Sequence, residues 1–211
     1  MTSEMRKRVR AKPSDRRRQI IDEAVRLIGE RGYFGFSTRE VAERCQLTDP
    51  GLLHYFGSKE KLLIAVLEDR DRQDTRFVLS LAGLEPGNEP EPKLTLRQVL
   101  DLFRATVVRN SGQPEILRLF VVLRTEAMNE SHPAHDYFVA HRAAVLDGFT
   151  RCVSAHVPEP RSTALQLMAL MGGLEQEWLR SDRDFDMVEE WDRAASRLLP
   201  CDAPLLDADP G

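Results

Sequence analysis

The chain has 211 residues, 42% hydrophobic and 30% charged, a length that buries a substantial core and the balance of an ordinary globular protein. No apolar run approaches the ~20 residues that cross a bilayer, and the basic N-terminus lacks the apolar segment of a secretory signal, so a cytoplasmic protein is expected. The formal net charge of −4 is unevenly spread: residues 1–18 hold eight Lys or Arg against two acids, a balance of +6 that leaves −10 on the remainder. A basic segment beside an acidic body attracts phosphate locally.

The first 13 residues are polar and aperiodic, which predicts a flexible basic arm. Ser14 or Asp15 is placed to cap a first helix, in which Ile21, Ala24, Val25 and Ile28 fall at i, i+3, i+4 and i+7 and which Gly32 ends. Its aromatic exit, Tyr33-Phe34 and Phe36, is expected to fill a small core. Ser37-Thr38-Arg39-Glu40 before an apolar run reads as a capping box, with the Ser37 hydroxyl on the Glu40 amide and the Glu40 carboxylate reaching back. Thr38, Val41, Ala42 and Cys45 then repeat the helical spacing, and Cys45 reads as a small buried hydrophobe. Gln46-Leu47 breaks the pattern, and Thr48 or Asp49 followed by Pro50 starts another helix.

Two short helices joined by a tight turn make a helix-turn-helix, whose second helix lies in the DNA major groove. That helix, residues 49–56, offers none of the Arg, Lys, Asn or Gln side chains that make the common bidentate base contacts. Base reading is left to Thr48, Asp49, His54 and Tyr55, with Pro50 or Leu53 for thymine methyls and Gly51 leaving room for the backbone. Thr38 and Arg39 of the preceding helix complete the candidate set. Leu52 and Phe56, four apart, are expected to face the core.

A long helix from Ser58 to about Ser80 follows, apolar at Leu62, Leu63, Val66 and Leu67 and charged from Glu68 to Arg72, so it reads as a mechanical link turned outward at its charged end. Gly83–Lys93, with three prolines and two glycines, is a loop. No two-residue strand period appears after Leu94. Helical spacing recurs at Leu96, Val99, Leu100 and Phe103, then at Ile116, Leu119, Phe120 and Leu123, with Pro114 in a first turn. Phe138, Val145, Phe149 and Val153 mark a further helix, Leu167, Leu170, Met171, Leu174 and Trp178 the next, and Val188, Trp191, Ala195 and Leu198 the last. The expected fold is all-α with about nine helices: a basic arm over 1–13, a three-helix DNA-binding domain over 14–57, a second helical domain over 58–200 and a disordered tail over 201–211.

No Gly-rich nucleotide loop, His-Glu-x-x-His or Gly-x-Ser-x-Gly occurs, so no enzyme and no cofactor is expected. His132, His135 and His141 with Asp136 do not form a metal cluster by spacing, because Pro133 interrupts them. Cys45, Cys152 and Cys201 fit no metal or disulfide pattern.

The segments RRRQIIDEAVRLIGERG, Gly32–Thr38, Val41-Ala42, Leu47-Thr48 and Tyr55-Phe56-Gly57-Ser58-Lys59-Glu60-Lys61-Leu62-Leu63 together resemble the tetracycline-repressor (TetR) family of bacterial transcription regulators. Where many members carry Leu-Tyr-x-His-Phe, this chain reads Leu52-Leu53-His54-Tyr55-Phe56, so Leu53 stands for a tyrosine that often contacts DNA. The resemblance implies a ligand-responsive regulator, most often a repressor, that binds a palindromic double-stranded operator as a homodimer and is released by a small-molecule effector. It implies a phosphate contact for Lys59. It also implies an effector cavity among the middle helices, for which Phe103, Phe120, Arg124, Glu126, Met128, Tyr137, Phe138 and His141 are candidates, and a dimer interface for which Leu167, Met171, Leu174, Trp178 and Trp191 supply area beside Gly172-Gly173. LRTEAMNESHPAHDYF is also similar to regulators grouped with the choline-pathway repressor. The other reading is a helical adaptor whose degenerate helix-turn-helix acts through protein partners.

Overall fold

The computed structural model describes residues 13–81 and 94–199, and its described residues form nine helices and no strand. The arm before Pro13, the Gly83–Lys93 loop and the tail after residue 200 lie outside the described residues. Pro13, assigned above to the arm, opens the first helix, α1 (Pro13–Gly35). Ser14 and Asp15 therefore sit inside its first turn rather than capping it. At Gly32 the backbone leaves helical geometry (φ 69°, ψ −179°), a left-handed φ that glycine adopts without penalty.

The next two helices, α2 (Thr38–Arg44) and α3 (Asp49–Phe56), form the helix-turn-helix. Ser37 caps α2, its Oγ accepting the Glu40 N–H at 3.2 Å. The reciprocal half of the capping box does not form, because the Glu40 carboxylate instead pairs with Arg31 at 2.9 Å. Between the helices Gln46 takes φ 56°, the Gln46 N–H reaches Glu43 O (3.0 Å) and the Leu47 N–H reaches Ala42 O (2.8 Å). That is a Schellman closure with glutamine in the left-handed position usually held by glycine. Thr48 caps α3 by accepting the Gly51 N–H at 3.1 Å.

Ser58 Oγ then accepts the Lys61 N–H, starting α4 (Lys59–Leu81). Beyond the undescribed loop come α5 (Leu96–Ser111), α6 (Pro114–Glu126), α7 (His135–Val153), α8 (Pro160–Arg180) and α9 (Met187–Leu198). Thr95 and Gln98 make a full capping box on α5, proline occupies the first turn of α6 and α8, and Asp186 caps α9.

Two hydrophobic clusters result. One joins α1–α4 to α6 and α7 through Leu119, Phe120, Leu123, Ala127, Ala134 and Phe138. The other fills the space among α5, α7, α8 and α9 around Leu167, Trp178 and Trp191. Helix α6 lies directly on α1: a Cβ placed on Gly29 would come 2.9 Å from the Glu115 carbonyl oxygen. No helix of the described residues is long and apolar enough to cross a membrane.

Candidate nucleic-acid interface and effector cluster

Recognition helix α3 buries Leu52 and Phe56, as its spacing requires, and leaves Thr48, Pro50 and His54 exposed. Gly51, Asp49 and Tyr55 are half-buried, and Leu53 packs against the same core as Leu52. Asp49 Oδ1 is shielded from solvent without a hydrogen-bond partner. In the first turn of α2, Thr38 is half-exposed and Arg39 exposed, with Arg39 Nε 3.0 Å from Glu43 Oε1. Both groups of that pair are in water, so the pair costs little to exchange for a phosphate.

The arginines at the start of α1 brace this unit. Arg16 donates to Cys45 O at the end of α2 (3.1 Å), while Arg17 donates to Tyr55 O (3.2 Å) and stands 4.3 Å over the Phe56 ring. Sequence reasoning counted both as free basic charge. Their spacing held the signal, since Arg16 and Arg17 lie four residues before buried Ile20 and Ile21 and so share that face.

Lys59 is not a freely solvated cation. Its ammonium lies 4.4 Å from the Tyr33 ring centroid and 4.5 Å from that of Phe36, and burial pulls its pKa down against the opposing charges of Glu60 and Glu126. Tyr33 in turn donates its hydroxyl to Glu60 at 3.0 Å, and burial with that bond pushes the phenol up to about 12. Of the aromatic exit, Tyr33 and Phe36 are buried, but Phe34 is 71% exposed. The expectation that all three fill the core fails at Phe34, which lies past the Gly32 break and turns away from the interior.

In the second domain, four of the eight candidate effector residues converge. Phe120, Tyr137, Phe138 and His141 meet edge to face or stacked, with ring centroids 5.1–6.4 Å apart. Two of them, Tyr137 and His141, reach Asp71 of α4, whose Oδ2 accepts the Tyr137 hydroxyl at 2.5 Å and lies 3.3 Å from His141 Nδ1. Burial works to raise the Asp71 carboxyl, but these two bonds together with the neighbouring charges, Arg70 among them, hold the pKa below its ordinary value. Arg70 lies 3.6 Å over Phe120, pairs with Asp74 at 3.2 Å and reaches Asn110 Oδ1 at 3.4 Å. Asn110 in turn donates to Glu175 of α8 at 2.6 Å. Burial pushes the Glu175 carboxyl up, against Arg124, Arg70 and the Asn110 bond.

The other candidates are placed differently. Phe103 belongs to the second core, stacked 4.4 Å from Phe149, and Met128 is 77% exposed in the turn after α6. Exposed Arg124 lays its guanidinium along Gly172, where a Cβ would come 3.3 Å from Nη1, and acts on Glu175 from outside. Glu126 faces away from the cluster and accepts the Tyr33 N–H at 3.0 Å.

The charged stretch of α4, expected to point outward, instead supplies Arg70, Asp71 and Asp74 to this network. Arg70 and Asp74 continue the stripe of Leu63, Val66 and Leu67 at helical spacing, which is why they turn inward.

His132, His135 and His141 are not brought together: His132 accepts the Ala134 N–H, His135 meets Ala127 O and His141 meets Asp71. No group of three potential metal ligands forms among the described residues.

The dimer candidates need correction as well. Leu167, Met171, Trp178 and Trp191 are buried within this chain by α5, α7 and α9, and Leu174 is half-buried against the same cluster. Their apolar area is taken up intramolecularly.

An open helix α3 on a braced helix-turn-helix, joined through α4 and α6 to a larger helical domain, defines a helix-turn-helix module fused to a second helical domain. Residues 20–66 match the model described as "Bacterial regulatory proteins, tetR family". The match spans the helix-turn-helix and its flanks, from Ile20 of α1 to Val66 of α4. It is 40% identical over 115 residues to the HTH-type transcriptional regulator BetI of Rhizobium meliloti (strain 1021), covering 53% of this chain and 52% of that protein. BetI of Brucella canis is 32% identical over 79 residues, 37% of this chain and 39% of its own length. The chain thus matches about half or less of the length of these curated relatives. Among solved structures, that of AibR in complex with isovaleryl coenzyme A and operator DNA superposes with a TM-score of 0.65 at 22% identity, covering 88% of this chain and 98% of that one.

Proposed function

We propose that this chain is a ligand-responsive transcriptional regulator, acting as a repressor, that holds a palindromic operator as a homodimer and leaves it when a small molecule binds the second domain. The observation that carries the reading is the open face of α3: Thr48, Pro50 and His54 are exposed on a helix whose other side is locked by Leu52 and Phe56. Among the described residues of the second domain none covers Thr48, Pro50 or His54, and an exposed helix N-terminus also favours anions. Thr48, Asp49, His54 and Tyr55 are the side chains we assign to base edges, with Pro50, Gly51 and Leu53 lining the approach and Thr38, Arg39 and Lys59 toward the phosphates.

The effector is assigned to the aromatic cluster around Asp71, where apolar rings and a few converging polar groups have the make-up of a small-molecule site. AibR is described as bound to both operator DNA and isovaleryl coenzyme A, which supports a two-site arrangement on this fold. For the dimer, the surface left uncovered on α8 is the better candidate. Leu165 is 45% exposed, and Ala169 and Gly173 continue its face at four-residue spacing. A Cβ on Gly173 meets nothing within 4 Å, so the chain's own packing does not require this glycine, although it costs the helix about 1 kcal/mol. A glycine at that place suits close approach of a second helix.

The test is selection of bound fragments from a random duplex library by the purified protein at near-physiological salt. An enriched inverted repeat is expected. An enriched single half-site would overturn the homodimer, and salt-sensitive binding without enrichment would overturn the sequence-specific reading.

A further inference from the structure

At the joint between the two domains, a single carboxylate from the second domain holds the exit of α1. Glu126 is the last residue of α6. Its Oε2 accepts the Tyr33 N–H at 3.0 Å, and Gly32 leaves room for it, since a Cβ at Gly32 would collide with Oε1. The buried His132 ring closes the other side: it packs edge-on to Tyr33 (5.0 Å) and Phe34 (5.6 Å), with Nε2 3.7 Å from Glu126 Oε2. Because His132 Nδ1 accepts the Ala134 N–H, the neutral ring carries its proton on Nε2, turned toward that carboxylate.

This placement is not explained by α6 itself. A negative charge at a helix C-terminus opposes the helix dipole, so Glu126 weakens its own helix while serving the neighbouring domain. The residue it holds carries consequences for α3. Tyr33 supports the Lys59 ammonium on its ring and donates its hydroxyl to Glu60, and both stand in the first turn of α4, three and four residues after α3 ends.

We infer that Glu126 is a positioning residue for DNA recognition: through the Gly32–Tyr33 backbone it fixes the aromatic platform that sets Lys59 at the foot of the recognition helix. The inference rests on the DNA-binding reading above. It also gives the effector cluster a route outward, because Phe120, in contact with Arg70 and His141, lies on the same helix six residues earlier, about 9 Å along the axis. A shift of α6 at Phe120 withdraws the carboxylate from Tyr33.

The experiment uses full-length Glu126→Gln and Glu126→Ala proteins and the duplex selected by the wild type. It reads hydrogen exchange at the Tyr33 amide without DNA and duplex affinity, in both the native and Lys59→Ala backgrounds. We expect faster Tyr33 exchange and weaker duplex binding, by about threefold for Glu126→Gln and about tenfold or more for Glu126→Ala, since a charged acceptor is worth roughly twice a neutral one. We expect most of the affinity loss to vanish once Lys59 is gone. Glu126→Gln is near-isosteric and decides the matter if the alanine protein fails to fold. Unchanged exchange and affinity with only a lowered melting temperature would reduce Glu126 to packing and overturn the inference, as would an affinity loss of the same size without Lys59. A wild type that selects no duplex overturns the DNA reading and this inference with it, whereas one that selects a duplex bound equally well by Glu126→Gln overturns this inference alone.

Discussion

Replacing Gly29 by alanine places a methyl group between α1 and α6, where it would stand 2.9 Å from Glu115 O and 3.6 Å from Leu119 Cβ. Ordinary contact begins near 3.4 Å, so α6 must retreat by about 0.5 Å, and the obstacle is backbone, which cannot rotate out of the way. Overpacking of this kind costs about 1–3 kcal/mol, while the gain in helix propensity from Gly to Ala returns about 1 kcal/mol. The net effect is a loss of up to about 2 kcal/mol. Gly148, in the interior of α7, provides the control: a Cβ there meets nothing within 4 Å, so Gly148→Ala keeps the propensity gain with no clash.

Thermal melting of the two variants separates the terms, since 1 kcal/mol moves the midpoint of a chain this long by about 2–4 °C. Gly148→Ala should melt about 2–4 °C higher than the wild type, and Gly29→Ala at the same temperature or lower by up to about 8 °C. If Gly29→Ala were stabilised as much as Gly148→Ala, α1 and α6 would not be in backbone contact. The rigid coupling of the helix-turn-helix to the second domain would then lose its basis.

Glu175→Gln keeps an acceptor for Asn110 and removes a charge that burial disfavours, so it should stabilise the protein at pH 7.5 by about 1 kcal/mol. Because the folded pKa is raised, the native carboxyl is unstrained while protonated and strained once ionised. The advantage of the glutamine should therefore shrink on going to pH 5, as melting at the two values will test. His132 has the opposite sense: burial lowers its pKa, so above about pH 6.5 it adds no pH dependence, whereas below that the unfolded chain takes a proton that the folded one refuses. Stability should fall there, and less steeply in His132→Phe, as measured by denaturant unfolding between pH 7 and 5. Lys59→Ala should weaken binding to all duplexes alike and flatten the dependence of log affinity on log salt by about one unit. A changed base preference with an unchanged slope would remove Lys59 from the phosphate set.

The helix-turn-helix was legible in the sequence because its signals are local. Ser37 and Thr48 mark helix starts through hydrogen bonds that span three residues, Pro50 marks one by lacking an N–H that the first turn leaves unpaired anyway, and the spacing of Val41, Ala42 and Cys45 requires one buried stripe whatever lies against it. The second domain was less legible because its contacts are not local. Spacing shows that Leu167, Met171, Trp178 and Trp191 face something apolar, but a partner chain and the chain's own α5, α7 and α9 satisfy the pattern equally well. Glu126 and Phe120, six residues apart on one helix, serve different neighbours, and no feature of the segment itself separates them. Arg70 and Asp74 were misplaced for another reason. Charge argued for solvent and helical phase for the interior, and phase prevailed because Arg70 and Asp74 pair with each other along α4 and reach Asn110 and Arg109 of α5.

That paired interior bears on how a small molecule could act at all. A ligand moves a two-state equilibrium only through its difference in affinity for the states, and turning 1:99 into 99:1 takes about 5.5 kcal/mol of such difference. Apolar filling between α4 and α6 alone would be felt by whichever state is better packed. A buried chain running Arg70–Asn110–Glu175, with Asp71 held by Tyr137 and His141, offers a steeper source. A polar ligand that takes over one of these bonds leaves the previous partner buried and unpaired, which costs about 1–3 kcal/mol per group unless the helices shift to satisfy it. Since Arg70 and Asp71 are on α4, a helix obliged to shift is the one that begins at Lys59, and the ring under the Arg70 guanidinium, Phe120, is on α6, the helix that ends at Glu126. The same hydrogen bonds that make the interior of this domain costly to disturb include those of Arg70 and Asp71 on α4, the helix that follows α3.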